Sequence, residues 1–158
     1  MKFRTAQRAV ATAAALTIMA VGLSACGGAN AKYDGAYVST TSYDQAMSVK
    51  DGKFTVVEFD RSGPDGRDKC ADYNAMFDHI EKNEVNSNVE HILKVVATGE
   101  LSDKQTMVMW NSGNAGTIQM DSPEKDMLTI GKASYAPLDS DLAEAKIRAV
   151  KTNHNYTC

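Results

Sequence analysis

The sequence predicts a mainly β domain, an antiparallel meander that forms a curled sheet or a small barrel with one or two helices. Three observations support this fold class: several segments alternate with period two, Asp51-Gly52 is a favoured hairpin turn, and only two segments show helical spacing. The alternative is an α+β fold in which a helix packs on an open antiparallel sheet. The 158 residues suit one domain.

The first 25 residues are predicted to lie outside this domain. Lys2, Arg4 and Arg8 form a short positive region, and residues 9–31 carry no charge. The apolar run is short and rich in alanine, which is typical of a secretory signal. The alternative is an uncleaved transmembrane anchor.

The tetrapeptide Leu23-Ser24-Ala25-Cys26 resembles the lipobox of bacterial lipoprotein precursors. The resemblance implies cleavage before Cys26, a diacylglyceryl group on its thiol, and attachment to the extracytoplasmic side of the cell membrane. Two acyl chains, at about 0.8 kcal/mol per buried methylene, give stable anchoring. Residues 26–32 would then be the lipidated cysteine and a flexible tether, and residues 33–158 a single exported domain.

Charge and cysteine count fit an exported chain. Removal of residues 1–25 leaves 14 basic against 20 acidic residues, a net charge of −6, which argues against nucleic acid as a partner. With Cys26 lipidated, Cys70 and Cys158 remain as a pair in an oxidising compartment, and we expect a disulfide between them. It would contribute about 4–5 kcal/mol in the chain-entropy model. Two free thiols are the alternative.

The clearest strand pair surrounds Asp51-Gly52. Folding about this turn places Val49 opposite Phe54, Met47 opposite Val56, and Ser48 opposite Thr55. The adjacent apolar residues Val56 and Val57 interrupt the alternation, so either Val57 and Phe59 point to the second face or a bulge intervenes. A short strand is expected earlier, near residues 37–40.

A second pair is predicted in residues 92–101 and 105–110, where both faces are apolar. Such strands are usually covered on both sides. Two sets of neighbours are expected: Val96 and Thr98 near Val108 and Trp110, and Val95 and Ala97 near Met107 and Met109.

The remaining strand segments continue the meander. Ile118 and Met120 are expected to point inward, followed by a turn at residues 122–125. In residues 127–135 the alternation changes phase at Gly131, which indicates a bulge or a sharp bend. The inward residues there are Leu128, Ile130, Ala133 and Tyr135.

Two segments are predicted to be helical. In residues 68–83, helical spacing places Cys70, Tyr73, Phe77 and Ile80 on one face, with Met76 beside them. In residues 139–151, Ser140 or Asp141 can cap the helix, with an inward face of Leu142, Ala145 and Ala149.

Patterns for metal sites and nucleophilic catalysis are weak. The aspartates at 60, 65, 68 and 72 do not match the spacing of an EF-hand calcium loop, so a solvated turn is favoured. His79, His91 and His154 form no local zinc-ligand pair, and Met107 and Met109 are interpreted as core residues rather than copper ligands. The turn at residues 112–116 is not a nucleophile elbow. We expect no metal, no cofactor and no enzymatic activity.

The expected function is therefore binding at the cell envelope. The first hypothesis is a small amphiphilic ligand in an apolar pocket lined by Phe54, Met107, Met109 and Trp110. The second is a protein-interaction or envelope-assembly module without such a pocket. A surface hydrolase is a less favoured third hypothesis. Small lipocalin-like and other barrel lipoproteins look broadly similar in layout.

Overall fold

The computed structural model describes residues 29–42, 44–62, 68–85, 89, 92–121 and 127–153. A 3₁₀ helix, Ala29–Tyr33, precedes the strands. The strands are β1 Gly35–Ser39, β2 Gln45–Lys50, β3 Lys53–Phe59, β4 Leu93–Leu101, β5 Met107–Trp110, β6 Ala115–Asp121, β7 Met127–Ile130 and β8 Ala133–Pro137. The helices are α1 Lys69–Glu81 and α2 Asp141–Asn153.

The eight strands form a closed antiparallel barrel in sequence order. Each strand pairs with the next, and β8 closes the barrel by pairing with β1. This confirms the predicted mainly β class and, of the forms considered, the small barrel with two helices. Closure satisfies both backbone edges of the sheet, which removes the free edges of an open sheet.

The hairpin of β2 and β3 has the predicted register. Val49 pairs with Phe54, Met47 with Val56, and Ser48 with Thr55. Asp51 and Gly52 have positive φ angles of 51° and 77°, as the two-residue turn requires. The register between β3 and β4 shifts at Val56/Val57, where a bulge was one of the two expected alternatives, and Val96 is the extra residue on β4.

The predicted register between β4 and β5 was wrong. Trp110 pairs with Gly99, Met109 with Glu100, and Val108 with Leu101. Because β5 has four residues and β4 has nine, β5 pairs only with the last part of β4, after the loop at residues 102–106. The expected cover on both sides is also missing at Met109, which is 48% exposed.

Residues 127–137 form two strands joined by a tight turn. Ile130 pairs with Ala133, so Gly131 and Lys132 are the turn, and Gly131 has φ +63°. The predicted sharp bend is therefore the hairpin that adds the eighth strand. Met120 has no described side chain, and residues 122–125 lie outside the described residues.

Helix α1 has the predicted inward face. Asp68 caps it by accepting hydrogen bonds from the Cys70 and Ala71 amides at 3.1 and 3.0 Å. Its buried residues are Cys70, Tyr73, Met76, Phe77 and Ile80.

Helix α2 starts at the Ser140 cap, and its predicted inward face is correct at Leu142 but wrong at Ala145 and Ala149. Ala143 and Val150 are buried and Ile147 packs beside them, whereas Ala145 and Ala149 are exposed. These inward positions follow the i, i+4, i+7 spacing of a helix stripe. The helix also extends to Asn153, beyond the predicted end.

Two apolar clusters lie on opposite sides of the sheet. The interior cluster fills the barrel with side chains from every strand and from the 3₁₀ helix; its largest members include Tyr33, Tyr37, Met47, Phe54, Leu128 and Tyr135. The outer cluster lies between the barrel and the helices and includes Val38, Val57, Phe59, Tyr73, Met76, Phe77 and Val150. Alternation along β1, β2, β3, β4 and β8 sends neighbouring residues to different clusters, whereas β5, β6 and β7 contribute only to the interior cluster.

The 3₁₀ helix closes one end of the barrel. The Tyr33 ring lies 6.4 Å from the Phe54 ring, and its hydroxyl donates to the Gln105 carbonyl at 2.9 Å. The Tyr37 hydroxyl donates to the Tyr33 carbonyl at 2.9 Å. We call this the plugged end; it also carries the Asp51-Gly52 turn and the loop at residues 102–106.

The docked 3₁₀ helix overlaps the predicted tether, so residues 29–32 belong to the folded domain. The proposed lipidation residue Cys26 and the signal segment 1–25 lie outside the described residues, as do Cys158, His91 and His154. Within the described part of the chain, no helix has the length and apolar character needed to cross a membrane.

Candidate functional site

The four residues predicted to line an apolar pocket lie on two faces of the sheet. Phe54 is fully buried inside the barrel, and Trp110 packs against it edge to face with ring centroids 6.5 Å apart. Met107 and Met109 flank the inward Val108 on β5 and therefore point outward. The structure brings Phe54 and Trp110 together and separates them from the two methionines.

Two glycines make room for Trp110 inside the barrel. A Cβ atom on Gly99 would lie 2.8 Å from Trp110 Cε3 and 2.7 Å from Val108 Cγ1. A Cβ atom on Gly116 would lie 2.6 Å from Ile130 Cγ2 and 3.3 Å from Trp110 Nε1. The indole occupies the space that side chains at these positions would need, so this part of the interior is packed core.

A groove of about 550 Å³ lies on the outside of the barrel, beside the plugged end. It lies between the C-terminal turn of α1, the paired strands β1 and β2, and the turn that leads from β8 into α2. We call it the plugged-end groove. Its lining residues are Asp34, Gly35, Ala36, Tyr37, Ser48, Val49, Lys50, Ile80, Glu81, Lys82, Asn83, Pro137, Leu138 and Asp139.

The groove lies where the end of α1 and the turn before α2 meet the barrel. Helix α1 ends there because Asn83 adopts φ +55°, and Ser48 Oγ donates to Asn83 Oδ1 at 2.9 Å. The Leu138 amide donates to the Ala36 carbonyl at 2.8 Å, which holds the turn before α2 against β1. The groove walls are thus fixed by hydrogen bonds from both sides.

The groove carries charges of both signs over an apolar base. Lys50 and Lys82 are its ammonium groups, and Asp34, Glu81 and Asp139 are its carboxylates. Ile80 and Val49 are buried among the lining residues. A second cavity of about 300 Å³ shares Lys50 and Asn83 with the groove, so the concave surface continues past the β2–β3 turn.

A second candidate surface is the outer face of β5 and β6. Met109, Ala115, Thr117 and Gln119 are exposed there, and we call them the uncovered face. None of these four side chains is charged. Val96, at the bulge of β4, is exposed to the same extent as Met109, 48%.

An acidic residue with a shifted pKa lies at the opposite end of the barrel. Asp60 Oδ1 accepts from the Ser62 amide at 2.8 Å and the Ser62 hydroxyl at 2.5 Å, and it lies 3.2 Å from Lys94 Nζ. The Ser62 hydrogen bonds, helped by Lys94, lower the pKa of Asp60 from 3.8 to about 2. This carboxylate joins the end of β3 to the start of β4, which is a structural role.

The other side chains that could bind a metal ion do not form a common site in the described part of the chain. Among the described residues, no three His, Cys, Asp or Glu side chains are grouped closely enough to hold a metal ion. Of the aspartates considered for calcium, Asp68 caps α1, and Asp65 lies outside the described residues. His79 Nδ1 lies 3.5 Å from Glu84 Oε2 near the end of α1.

Comparisons with protein-family models, curated proteins and solved structures found no match for this chain. The groove was missed in the sequence because its residues come from four separate segments. Only the charges at Glu81 and Lys82, just where the helix pattern ends, indicate a polar surface there.

Proposed function

We propose that this chain is the precursor of a non-enzymatic lipoprotein held on the extracytoplasmic side of the cell membrane. Its anchor is a diacylglyceryl group on Cys26, and its domain binds a small amphiphilic ligand. The lipobox-like Leu23–Cys26 segment, the uncharged run before it and the net charge of −6 after cleavage support this assignment.

We place the ligand in the plugged-end groove rather than inside the barrel. The observation that carries this choice is a groove of about 550 Å³ lined by charges of both signs, next to a barrel interior filled by Phe54, Met47 and Leu128. Small-ligand sites have volumes of about 300–1,000 Å³. The charged rim binds the polar part of the amphiphile, and Ala36, Ile80 and Leu138 contact its apolar part.

We also propose that Cys70 and Cys158 form a disulfide. The expected oxidising compartment supports the bond, and a bridge from Cys70, which is buried on the inner face of α1, would hold the C-terminal residue against the domain. Alkylation of the purified protein after unfolding in urea, with and without prior reduction, tests the bond: we expect Cys70 to be modified only after reduction, whereas modification without reduction would contradict the disulfide.

Native mass spectrometry of the mature protein, purified in mild detergent from its own membranes, tests the ligand site. We expect an amphiphile to remain bound to the wild type and to the Lys132→Glu variant. The Lys82→Glu and Lys50→Glu variants should lose it at least tenfold, because each reverses a charge in the groove. Lys132 lies in the β7–β8 turn, so it is a control with the same charge change.

Equal ligand retention by all four proteins would contradict the groove assignment. Thermal unfolding of each variant controls for loss of the fold, since the lysines at 50, 82 and 132 are all exposed.

The second candidate function is a protein-interaction module. The uncovered face supports it, because Met109 is 48% exposed beside the uncharged side chains of Ala115 and Thr117, with Glu100 as its charged neighbour on β4. A partner protein that co-purifies with the wild type and is lost with Met109→Glu, while the groove variants retain it, would favour this candidate over the ligand binder.

A further inference from the structure

The N-terminal segment of the domain is docked against the barrel up to a few residues from the proposed anchor. Tyr33 is 4% exposed and is held by its contact with Phe54 and its hydrogen bond to the Gln105 carbonyl. Its own carbonyl accepts from the Tyr37 hydroxyl. The 3₁₀ helix Ala29–Tyr33 is therefore part of the plugged end, which limits how far the barrel can move from Cys26.

Chain geometry sets that limit. Three residue steps from Cys26 to Ala29 span at most about 11 Å. The five-residue 3₁₀ helix adds about 10 Å, so Tyr33 lies within roughly 20 Å of the anchored cysteine. Strand β4 alone, with nine residues, extends about 30 Å. The anchor therefore keeps the plugged end within reach of the bilayer, whereas it sets no such limit on the opposite end of the barrel.

We infer that the plugged end faces the membrane and that the plugged-end groove binds the headgroup of a lipid resident in that membrane. This inference rests on the proposed function, and it names the amphiphile. The groove begins at Asp34 and Gly35, the two residues that follow the 3₁₀ helix, so the short anchor that orients the barrel also brings the groove to the bilayer surface.

The charges of the groove fit a zwitterionic headgroup. Lys50 and Lys82 can pair with a phosphate, and the carboxylates of Asp34, Glu81 and Asp139 can pair with an ammonium group. With three carboxylates and two ammonium groups, the groove is net negative, which disfavours a headgroup that carries only negative charge. A headgroup with both phosphate and ammonium, such as phosphoethanolamine, satisfies both sets. Its acyl chains can remain in the bilayer.

Amine footprinting on vesicles tests this orientation. The mature lipidated protein is reconstituted in vesicles of phosphatidylethanolamine and phosphatidylglycerol and treated with a membrane-impermeant acylating reagent, and modification of each lysine is followed by mass spectrometry. Lys53 and Lys104 are exposed at the plugged end, and Lys132 is exposed at the opposite end. A variant with twelve Gly/Ser residues inserted before Ala29 is the matched control.

We expect Lys53, Lys104 and the groove residue Lys82 to react at least threefold more slowly than they do in the variant with the inserted linker. The Lys132 rate should be equal in both. Replacing phosphatidylethanolamine by phosphatidylglycerol should restore the Lys82 rate while Lys53 and Lys104 stay protected. Equal modification rates at Lys53, Lys104 and Lys132 on the vesicle would overturn the orientation. A Lys82 modification rate that is the same with either lipid would overturn the headgroup assignment.

Vesicle flotation distinguishes a missing lipid anchor from a wrong orientation of the barrel. A mature protein that does not float with the vesicles contradicts the lipid anchor itself. A protein that floats but shows uniform lysine reactivity retains the anchor and contradicts only the orientation.

Discussion

The two sides of the barrel differ in what covers their outer surface. On one side, α1 and α2 bury Val38, Val57 and Phe59, which point away from the barrel interior. On the other side, Met109 and Thr117 occupy equivalent outward positions and are exposed. The interior cluster is continuous behind both sides. Inward side chains are therefore buried all around the barrel, whereas outward side chains are buried only where a helix lies on them.

The same comparison explains where a site can form. The filled interior has no room for a ligand between Phe54 and Trp110, and a cavity of about 290 Å³ borders Trp110 at residues 95–98 and 110–112. The larger plugged-end groove lies where the helix-covered side ends at the plugged end of the barrel. The groove lies at that boundary, between the end of α1 and the start of α2. Four substitutions test the comparison, in order of decreasing expected effect.

The largest effect is expected from Phe59→Ala, on the helix-covered side. The Phe59 ring packs edge to face on Tyr73 at 5.2 Å, and Tyr73 packs on Phe77 at 5.1 Å. Removing the ring leaves a cavity between β3 and α1, so the free energy of unfolding should fall by about 3–5 kcal/mol. Urea unfolding followed by circular dichroism measures it. A loss below about 1 kcal/mol would show that α1 contributes little to the core.

Gly99→Ala tests whether the interior is packed behind the uncovered side. The added methyl group would lie 2.7 Å from Val108 Cγ1 and 2.8 Å from Trp110 Cε3, so one of these side chains must shift. We expect a loss of about 1–3 kcal/mol in the free energy of unfolding and a changed Trp110 fluorescence spectrum. Glu100→Ala, at the next and exposed position of β4, is the control. Gly99→Ala with wild-type stability would mean that the barrel has spare internal volume.

Asp60→Asn tests the link between β3 and β4 at the opposite end of the barrel. Because the pKa of Asp60 falls to about 2 in the folded protein, its charged form stabilises the fold above the ordinary pKa of 3.8. That contribution is lost as the pH falls from about 4 to about 2. At pH 7 the variant should be less stable by about 1–2 kcal/mol, after allowance for solvent screening.

The pH dependence provides the internal control for this variant. Chemical unfolding at a series of pH values should show the difference between wild type and Asp60→Asn narrowing to nearly zero at about pH 2. A constant difference across that range would contradict the role of the Asp60 charge.

The smallest effect is expected from Met109→Ala on the uncovered face. This side chain is 48% exposed, so its removal should change the free energy of unfolding by no more than about 0.5 kcal/mol. Urea unfolding beside Phe59→Ala gives the direct comparison of the two sides. A loss of 2 kcal/mol or more would mean that Met109 is buried in solution, by a second copy or another partner.

Local patterns in the sequence predicted the parts of the fold that depend on neighbouring residues. The Asp51-Gly52 turn and the cross-strand pairs of β2 and β3 were confirmed, as were the bulge at Val56/Val57 and the inner face of α1. In each case a turn type or a periodicity is sufficient, because the contacts are close in sequence.

Features that depend on distant segments were predicted less well. The predicted register of β5 against β4 was wrong. The short length of β5 and the five-residue loop before it are set by barrel closure, not by alternation. The predicted inner face of α2 was wrong at Ala145 and Ala149, because the equally small Ala143 faces the barrel in their place. The groove joins residues from Asp34 to Asp139, and no local pattern brings these together.

The proposed lipid anchor is tested most directly by the intact mass and N-terminal peptide of the native product. We predict a chain that begins at Cys26, lacks residues 1–25 and carries the added mass of a diacylglyceryl group on that cysteine. A native product that retains residues 1–25 with an unmodified Cys26 thiol would contradict the anchor and, with it, the placement of the groove at the bilayer.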